Sequence, residues 1–181
     1  MQMSDDQTLL IRTASPEDLD ALIELCAEHA SYEGSMYDPQ NKKERLSSAL
    51  FSASPRLYAW VAERQGKPVG FATATQEFST WDAASFLHMD CLYLREEVRS
   101  LGLGRLLVLE IARLALKLGC INLQWQTPTW NERAIRFYHR LGGKAQQKER
   151  FFLSRDALET LTQTEACSAA DTMPNCVKKR L

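Results

Sequence analysis

Directly ahead of a run of apolar residues at helical spacing, the chain reads Val98-Arg99-Ser100-Leu101-Gly102-Leu103-Gly104-Arg105. The first amide hydrogens of a helix have no intrahelical acceptor, and the helix macrodipole is positive at that end. A loop with glycine at 102 and 104 therefore lets phosphate oxygens approach bare backbone donors. A pyrophosphate suits such a loop. Two other phosphate loops are excluded by spacing: no Gly-Lys-Ser/Thr follows, and the three-glycine dinucleotide fingerprint is incomplete. A plain helix start, with glycines chosen for the turn, accounts for the same residues.

The apolar run Phe86 to Leu94, just before this loop, holds the second candidate. Asp90 alternates with Phe86, His88, Leu92 and Leu94, so an uninterrupted strand puts all five on one face. A carboxylate among apolar neighbours is costly unless partnered. Asp90 can hold an ammonium and take its proton, through water because aspartate is a weak base, or it can be a satisfied carboxylate tying strand to loop. His88 lies one strand repeat away, about 7 Å, and is the other candidate base.

These groups need a scaffold, and the pattern supplies one. Leu9 and Ile11 read as a strand, Ser15 and Pro16 as the cap and first position of a helix, and Leu19, Leu22, Ile23, Cys26 and Ala30 as its apolar face. A second, weaker helix covers Lys42 to Phe51. Arg56 to Glu63 and Val69 to Thr75 read as a hairpin about Gly66-Lys67-Pro68, and Phe86 to Leu94 as a third strand. Leu103, Leu106, Leu107, Ile111, Leu114 and Leu118 trace one face of a long helix that Gly119 stops. A strand at Ile121 to Thr127, a helix at Asn131 to Leu141 and a closing strand at Lys148 to Leu153 follow. Ser154 and Asp156 start a short helix to about Leu161. Thr162 to Leu181 has little apolar periodicity and reads as a mobile tail.

Composition narrows the partners. The 181 residues, 45% hydrophobic with four Trp, fit one domain with a substantial core. With 22 basic against 23 acidic residues the formal net charge is −1, so composition offers no general attraction to nucleic acid or an anionic membrane. None of the five cysteines, Cys26, Cys91, Cys120, Cys167 and Cys176, is close enough in sequence to another to make a zinc or redox pair, and no metal is expected. No signal-like start and no stretch of about 18 apolar residues occurs, which points to a cytoplasmic protein.

The loop, with Arg99, Gly102 and Gly104, resembles the acetyl-CoA loop of the GNAT superfamily, Arg/Gln-x-x-Gly-x-Gly/Ala after the central strand. About thirty residues on, Trp130-Asn131-Glu132-Arg133-Ala134-Ile135-Arg136-Phe137-Tyr138-His139-Arg140-Leu141-Gly142 resembles that superfamily's later helix. The branch most similar is the diamine (spermidine/spermine) acetyltransferases, over roughly Leu9 to Leu161, with Tyr32-Glu33, Phe78 to Trp81 and Leu87 to Leu94 in comparable places. Ser100 stands where the superfamily usually has glycine. Asp90-Cys91 replaces the diamine enzymes' Glu-Asp pair, which leaves acetyl transfer in place and polyamine specificity open.

The resemblance implies a mixed α/β GNAT domain over residues 7–161, with a mostly antiparallel sheet splayed beside its central strand and flanking helices. It implies acetyl-CoA as co-substrate, bound by the loop Arg99, Ser100, Leu101, Gly102, Leu103, Gly104 and Arg105. It also implies pairing of the pantetheine arm with the backbone of Leu92, Tyr93 and Leu94, and a hydrogen bond from the arm to Asn131. Tyr138 takes the place of the general acid, Asp90 that of the amine's partner, and Glu33, Trp81 and His88 those of substrate-side contacts. The expected reaction is N-acetylation of a primary amine on a small molecule, whether polyamine, amino acid derivative or antibiotic, by a homodimer. Acetylation of a protein lysine or N-terminus, and a non-catalytic acyl-CoA-binding module, are the alternatives.

Overall fold

A computed structural model describes residues 9–170. The described residues divide into two compact units, one ending at Leu141 and the other beginning at Gly142. The first holds a five-stranded sheet in the order β1 (Leu9–Thr13), β2 (Tyr58–Arg64), β3 (Lys67–Ser79), β4 (Ala84–Leu94), β5 (Leu123–Trp125). Neighbours β1 to β4 pair antiparallel, and β5 pairs parallel to β4. The mostly antiparallel mixed sheet expected from the sequence is what forms.

Helix α3 (Leu103–Lys117) covers one face of the sheet, because its apolar positions Leu103, Leu107, Ile111 and Ala115 recur at helical spacing. They bury against Trp60, Ala72, Leu87, Met89, Leu94 and Val98. On the other face, Leu19, Leu22 and Leu25 of α1 (Leu19–Tyr32) and Leu50 of α2 (Lys42–Phe51) pack on Ala59, Val61 and Phe71. Helix α4 (Glu132–Arg140) ends the unit and lies against α3, where a methyl group on Gly104 would stand 3.3 Å from the Phe137 ring.

The junction of β1 and α1 is fastened by charge. Asp18, 5% exposed, accepts from the Ser15 amide at 2.8 Å and from the Arg12 guanidinium at 2.6 and 2.8 Å. Arg12 also donates to Glu63 of β2 at 2.8 Å. The Arg12 hydrogen bonds hold the Asp18 carboxyl below its ordinary pKa, against the opposing effect of burial. Its stabilisation is therefore present above the unfolded pKa, about 4, and is lost as pH falls through the lower folded value. Asp18→Asn is expected to lower unfolding free energy at pH 7 by about 2–3 kcal/mol and to flatten the acid limb of the stability curve, which urea titrations at several pH values would measure.

Three expectations change. The strand expected over Ile121 to Thr127 is only Leu123–Trp125, because the chain turns away toward Pro128 and into α4. The strand expected at Lys148 to Leu153 does not form. A strand needs a hydrogen-bonded neighbour, and described residues 142–170 contain no second strand to provide one. Helix α5 (Arg155–Ala170) runs past the expected end near Leu161, into the segment expected to be a tail. The remainder of that tail, residues 171–181, lies outside the described residues.

Candidate active site

Strand β4 is longer than its partner on the β5 side. Their pairing runs Leu87 with Leu123, His88 with Gln124 and Met89 with Trp125, and then stops, while β4 continues to Leu94 beside β3 alone. Asp90 to Leu94 thus have no strand partner on the β5 side among the described residues. An opened strand edge presents unpaired backbone donors and acceptors, which an extended, amide-bearing arm can pair with.

At the mouth of this opening lies a β-bulge. Thr73 of β3 faces Cys91 and Ala74 faces Met89, so Asp90 is an extra residue with no partner across the ladder. The bulge breaks the alternation predicted for the strand. Leu87 and Met89 bury on the α3 side before it, and Leu92 and Leu94 bury on that same side after it, while Cys91 and Tyr93 pack on the α1 side. Asp90 therefore does not share one face with Leu92 and Leu94. It is exposed, and its carboxylate accepts from the Cys91 thiol at 3.7 Å. His88 pairs between Thr75 and Gln124, one residue before the ladder breaks.

Tyr138 reaches the same place from α4. Its ring packs against Trp125 of β5 and against Phe137, with centroids 5.1 Å apart in each case. Burial raises the phenol's pKa to about 12, with smaller upward contributions from Glu33 and Cys91. A raised phenol pKa keeps the proton on oxygen throughout the neutral range, so Tyr138 remains a donor. The two secondary contributors place Glu33, at the end of α1, and Cys91, beside the bulge, within electrostatic reach of the hydroxyl. The Glu33 carboxylate also lies 3.3 Å from His29. Trp81, on the turn between β3 and β4, is 96% exposed and is not drawn into this cluster.

The glycine loop enters α3 through two left-handed residues, Ser100 with φ of 68° and Gly102 with φ of 85°. Gly102 is the N-cap and no side chain caps the helix; its carbonyl accepts first from Leu106, at 3.2 Å. The first-turn amides at Leu103, Gly104 and Arg105 are thereby left for an external acceptor, and alternating left-handed residues form the kind of backbone concavity that holds anions. A methyl group on Gly102 would meet nothing within 4 Å, so the loop is open on that side. The two glycines differ in role: Gly102 shapes the loop, whereas Gly104 gives Phe137 room to dock α4 on α3. Ser100 pays for its left-handed backbone with a tie to α4, accepting from Arg133 at 3.2 Å. Arg99 donates to the Leu94 carbonyl at 2.8 Å and lies over the Tyr32 and Tyr93 rings, which fixes the loop to the end of β4. Asn131 caps α4 by accepting from the Ala134 amide at 3.1 Å, so its oxygen is committed and its NH2 is the part open to a ligand. A separate cleft of about 380 Å³, lined by Thr13, Leu50, Phe51, Trp60 and Glu110 among others, contains none of these residues.

The sheet opens beside its central strand, with an uncapped glycine loop past the end of β4 and Tyr138 packed on Trp125 of β5, the other strand that borders the opening. Residues 19–143 match the sequence model of the acetyltransferase (GNAT) family, and the chain belongs to it. It is an acetyl-CoA-dependent N-acetyltransferase. It is 30% identical to a thialysine N-epsilon-acetyltransferase of Caenorhabditis elegans, over 71% of this chain and 78% of that protein. It is 24% identical to a D-amino-acid N-acetyltransferase of Saccharomyces cerevisiae over 75% of this chain and 85% of that one. An aminoglycoside N-acetyltransferase solved with CoA superposes with a TM-score of 0.72 at 16% identity, covering 85% of this chain and 99% of that one.

Among the described residues no group of three or more His, Cys, Asp or Glu side chains is arranged to hold a metal, and no helix is long and apolar enough to cross a membrane. Sequence reasoning gave no site role to Cys26, whose thiol the fold brings within electrostatic reach of both Lys42 and Asp90. Nothing in their spacing signals it, because Cys26 lies on α1, Lys42 at the start of α2 and Asp90 on β4.

Proposed function

We propose that this enzyme acetylates a primary amine of a small molecule at the opening between β4 and β5. The observation that carries the reading is the half-buried Tyr138 phenol packed on Trp125 of β5, where the β4–β5 ladder ends, within electrostatic reach of Cys91 beside the bulge. Asp90 holds the incoming ammonium and takes its proton through water, and the freed amine attacks the thioester carbonyl. An amide near Leu92 polarises that carbonyl, and Tyr138 gives its proton to the departing CoA thiolate. The backbone of Leu92 to Leu94 and the NH2 of Asn131 hold the pantetheine arm, while the first-turn amides of α3 and the exposed Arg105 hold the phosphates.

The activities for which the relatives are named, on thialysine and on D-amino acids, support a small acceptor. A screen that reads both CoA release and N-acetylated product across amino acids, polyamines, aminoglycosides and lysine peptides tests it. Acetylation confined to peptides would overturn it.

We also infer a cytoplasmic homodimer. Free thiols at Cys26, Cys91 and Cys120 suit a reducing compartment. The consecutive side chains Phe151 and Phe152, 90% and 86% exposed, are apolar surface that a second copy would cover.

Asp90→Asn keeps the side chain's shape and removes its charge. The amine's KM is expected to rise and turnover to fall by about tenfold or more, with acetyl-CoA affinity unchanged. Steady-state kinetics varying each substrate in turn checks this. Indifference to the substitution would move the role to His88.

A further inference from the structure

The bulge on β4 joins two side chains that a regular strand would keep apart. Consecutive residues of a strand point to opposite faces, yet the Cys91 thiol donates to the Asp90 carboxylate at 3.7 Å. The extra residue between the Ala74–Met89 and Thr73–Cys91 pairs is what turns Asp90 toward its neighbour. An ionised carboxylate only accepts, so the thiol is the donor. Burial above all, then the Asp90 charge and Cys26, push the thiol up to about 12, against a smaller opposing effect of the Thr73 hydroxyl. The sulfur therefore keeps its proton throughout the neutral range.

Thr73 stands behind this pair. It faces Cys91 directly across the β3–β4 ladder, on the same side of the sheet as Phe71 two residues earlier, which packs under α1. Thr73 is 7% exposed, and its hydroxyl is buried without a hydrogen-bond partner among the described residues. A buried hydroxyl left unpaired is destabilising. The sulfur of its cross-strand neighbour is a weak acceptor, and a small rotation about either side chain's χ1 would let it accept from Thr73 while it donates to Asp90.

We propose that Cys91 is a positioning residue for acetyl transfer: its thiol donates to the Asp90 carboxylate and aims it at the acceptor's ammonium, while the Thr73 hydroxyl holds the sulfur from behind. The inference deepens the reading above, in which Asp90 receives the amine, and rests on it. Without the thiol, Asp90 is an exposed side chain on a residue unpaired across the ladder, with no other hydrogen-bond partner among the described residues. It would then sample several rotamers, of which only some face the amine. A cysteine that merely filled space would act on stability and would be indifferent to the charge at residue 90.

The test is a double-mutant cycle read in steady-state kinetics with lysine, ornithine and 1,4-diaminobutane as acceptors, with melting temperature and acetyl-CoA affinity followed in each protein. Cys91→Ala is expected to lower kcat/KM for the acceptor by about 3- to 10-fold, the usual effect of one net hydrogen bond, and to leave acetyl-CoA affinity unchanged. Cys91→Ser supplies a hydroxyl donor and is expected to recover most of the loss. Thr73→Val should give a smaller loss of the same kind, absent once residue 91 is alanine. Added to Asp90→Asn, Cys91→Ala should bring no further loss, because the carboxylate it serves is gone. The same loss with and without that carboxylate, or a Cys91→Ser protein as impaired as Cys91→Ala, would overturn the role of Cys91 while leaving Asp90 as the amine's partner. Indifference to Asp90→Asn alone would overturn both roles.

Discussion

Tyr138→Phe is expected to slow single-turnover acetyl transfer by about 10²- to 10⁴-fold, the usual worth of a positioned proton donor, with little change in acetyl-CoA affinity. The substitution keeps the ring, so its packing on Trp125 and Phe137 survives and the loss falls on the chemical step. The pH dependence carries independent information. Because burial holds the phenol at about 12, it stays protonated from roughly pH 6 to pH 10, and the variant should lose the same factor across that range without changing the shape of the profile. Steady-state rates would understate the effect where product release limits turnover, so rapid-mixing rates are the measurement. Wild-type rates in the variant would refute the role.

The second large effect belongs to Gly102. At φ of 85° the position disfavours any side chain, and valine there would also stand beside the amides that face the phosphates. Gly102→Val is expected to weaken acetyl-CoA binding by about 10²-fold or more in calorimetry while the domain stays folded. Gly104→Ala separates the two glycines, since its methyl group would meet Phe137 at 3.3 Å. Its main cost should be to stability, by about 1 kcal/mol, and not to cofactor affinity. Undiminished affinity in a folded Gly102→Val protein would remove the loop from the binding site.

Helices α1 to α4 and the hairpin of β2 and β3 were legible because each carries its own local signal. The apolar positions of α3 recur at helical spacing, and the residues for Lys42–Phe51 gave the bounds of α2 directly. The glycine loop and the Asn131 to Leu141 segment were legible as motifs, in the right order, and the fold places both at the opening beside β4.

What escaped was non-local. The bulge at Asp90 is a mismatch between two strands, visible only when Thr73 and Ala74 are set against Cys91 and Met89. Strict alternation along β4 therefore assigned Asp90 to a face it shares only as far back as Phe86 and His88. The early end of β5 depends on where the chain turns into α4, and the strand expected at Lys148 to Leu153 on a partner that its own unit lacks. Periodicity reports which residues can form a strand. It does not report whether a neighbour is present.

The central claim is transfer of acetyl from CoA to the nitrogen of a small amine, and following the carbon tests it most directly. With acetyl-CoA labelled with carbon-13 at the carbonyl and a mixture of amino acid and diamine acceptors, the label should move from the thioester to an amide signal. One free CoA thiol should appear per amide formed, at a rate that falls in Tyr138→Phe. Label remaining on the thioester, or appearing as free acetate with no amide, would contradict the account.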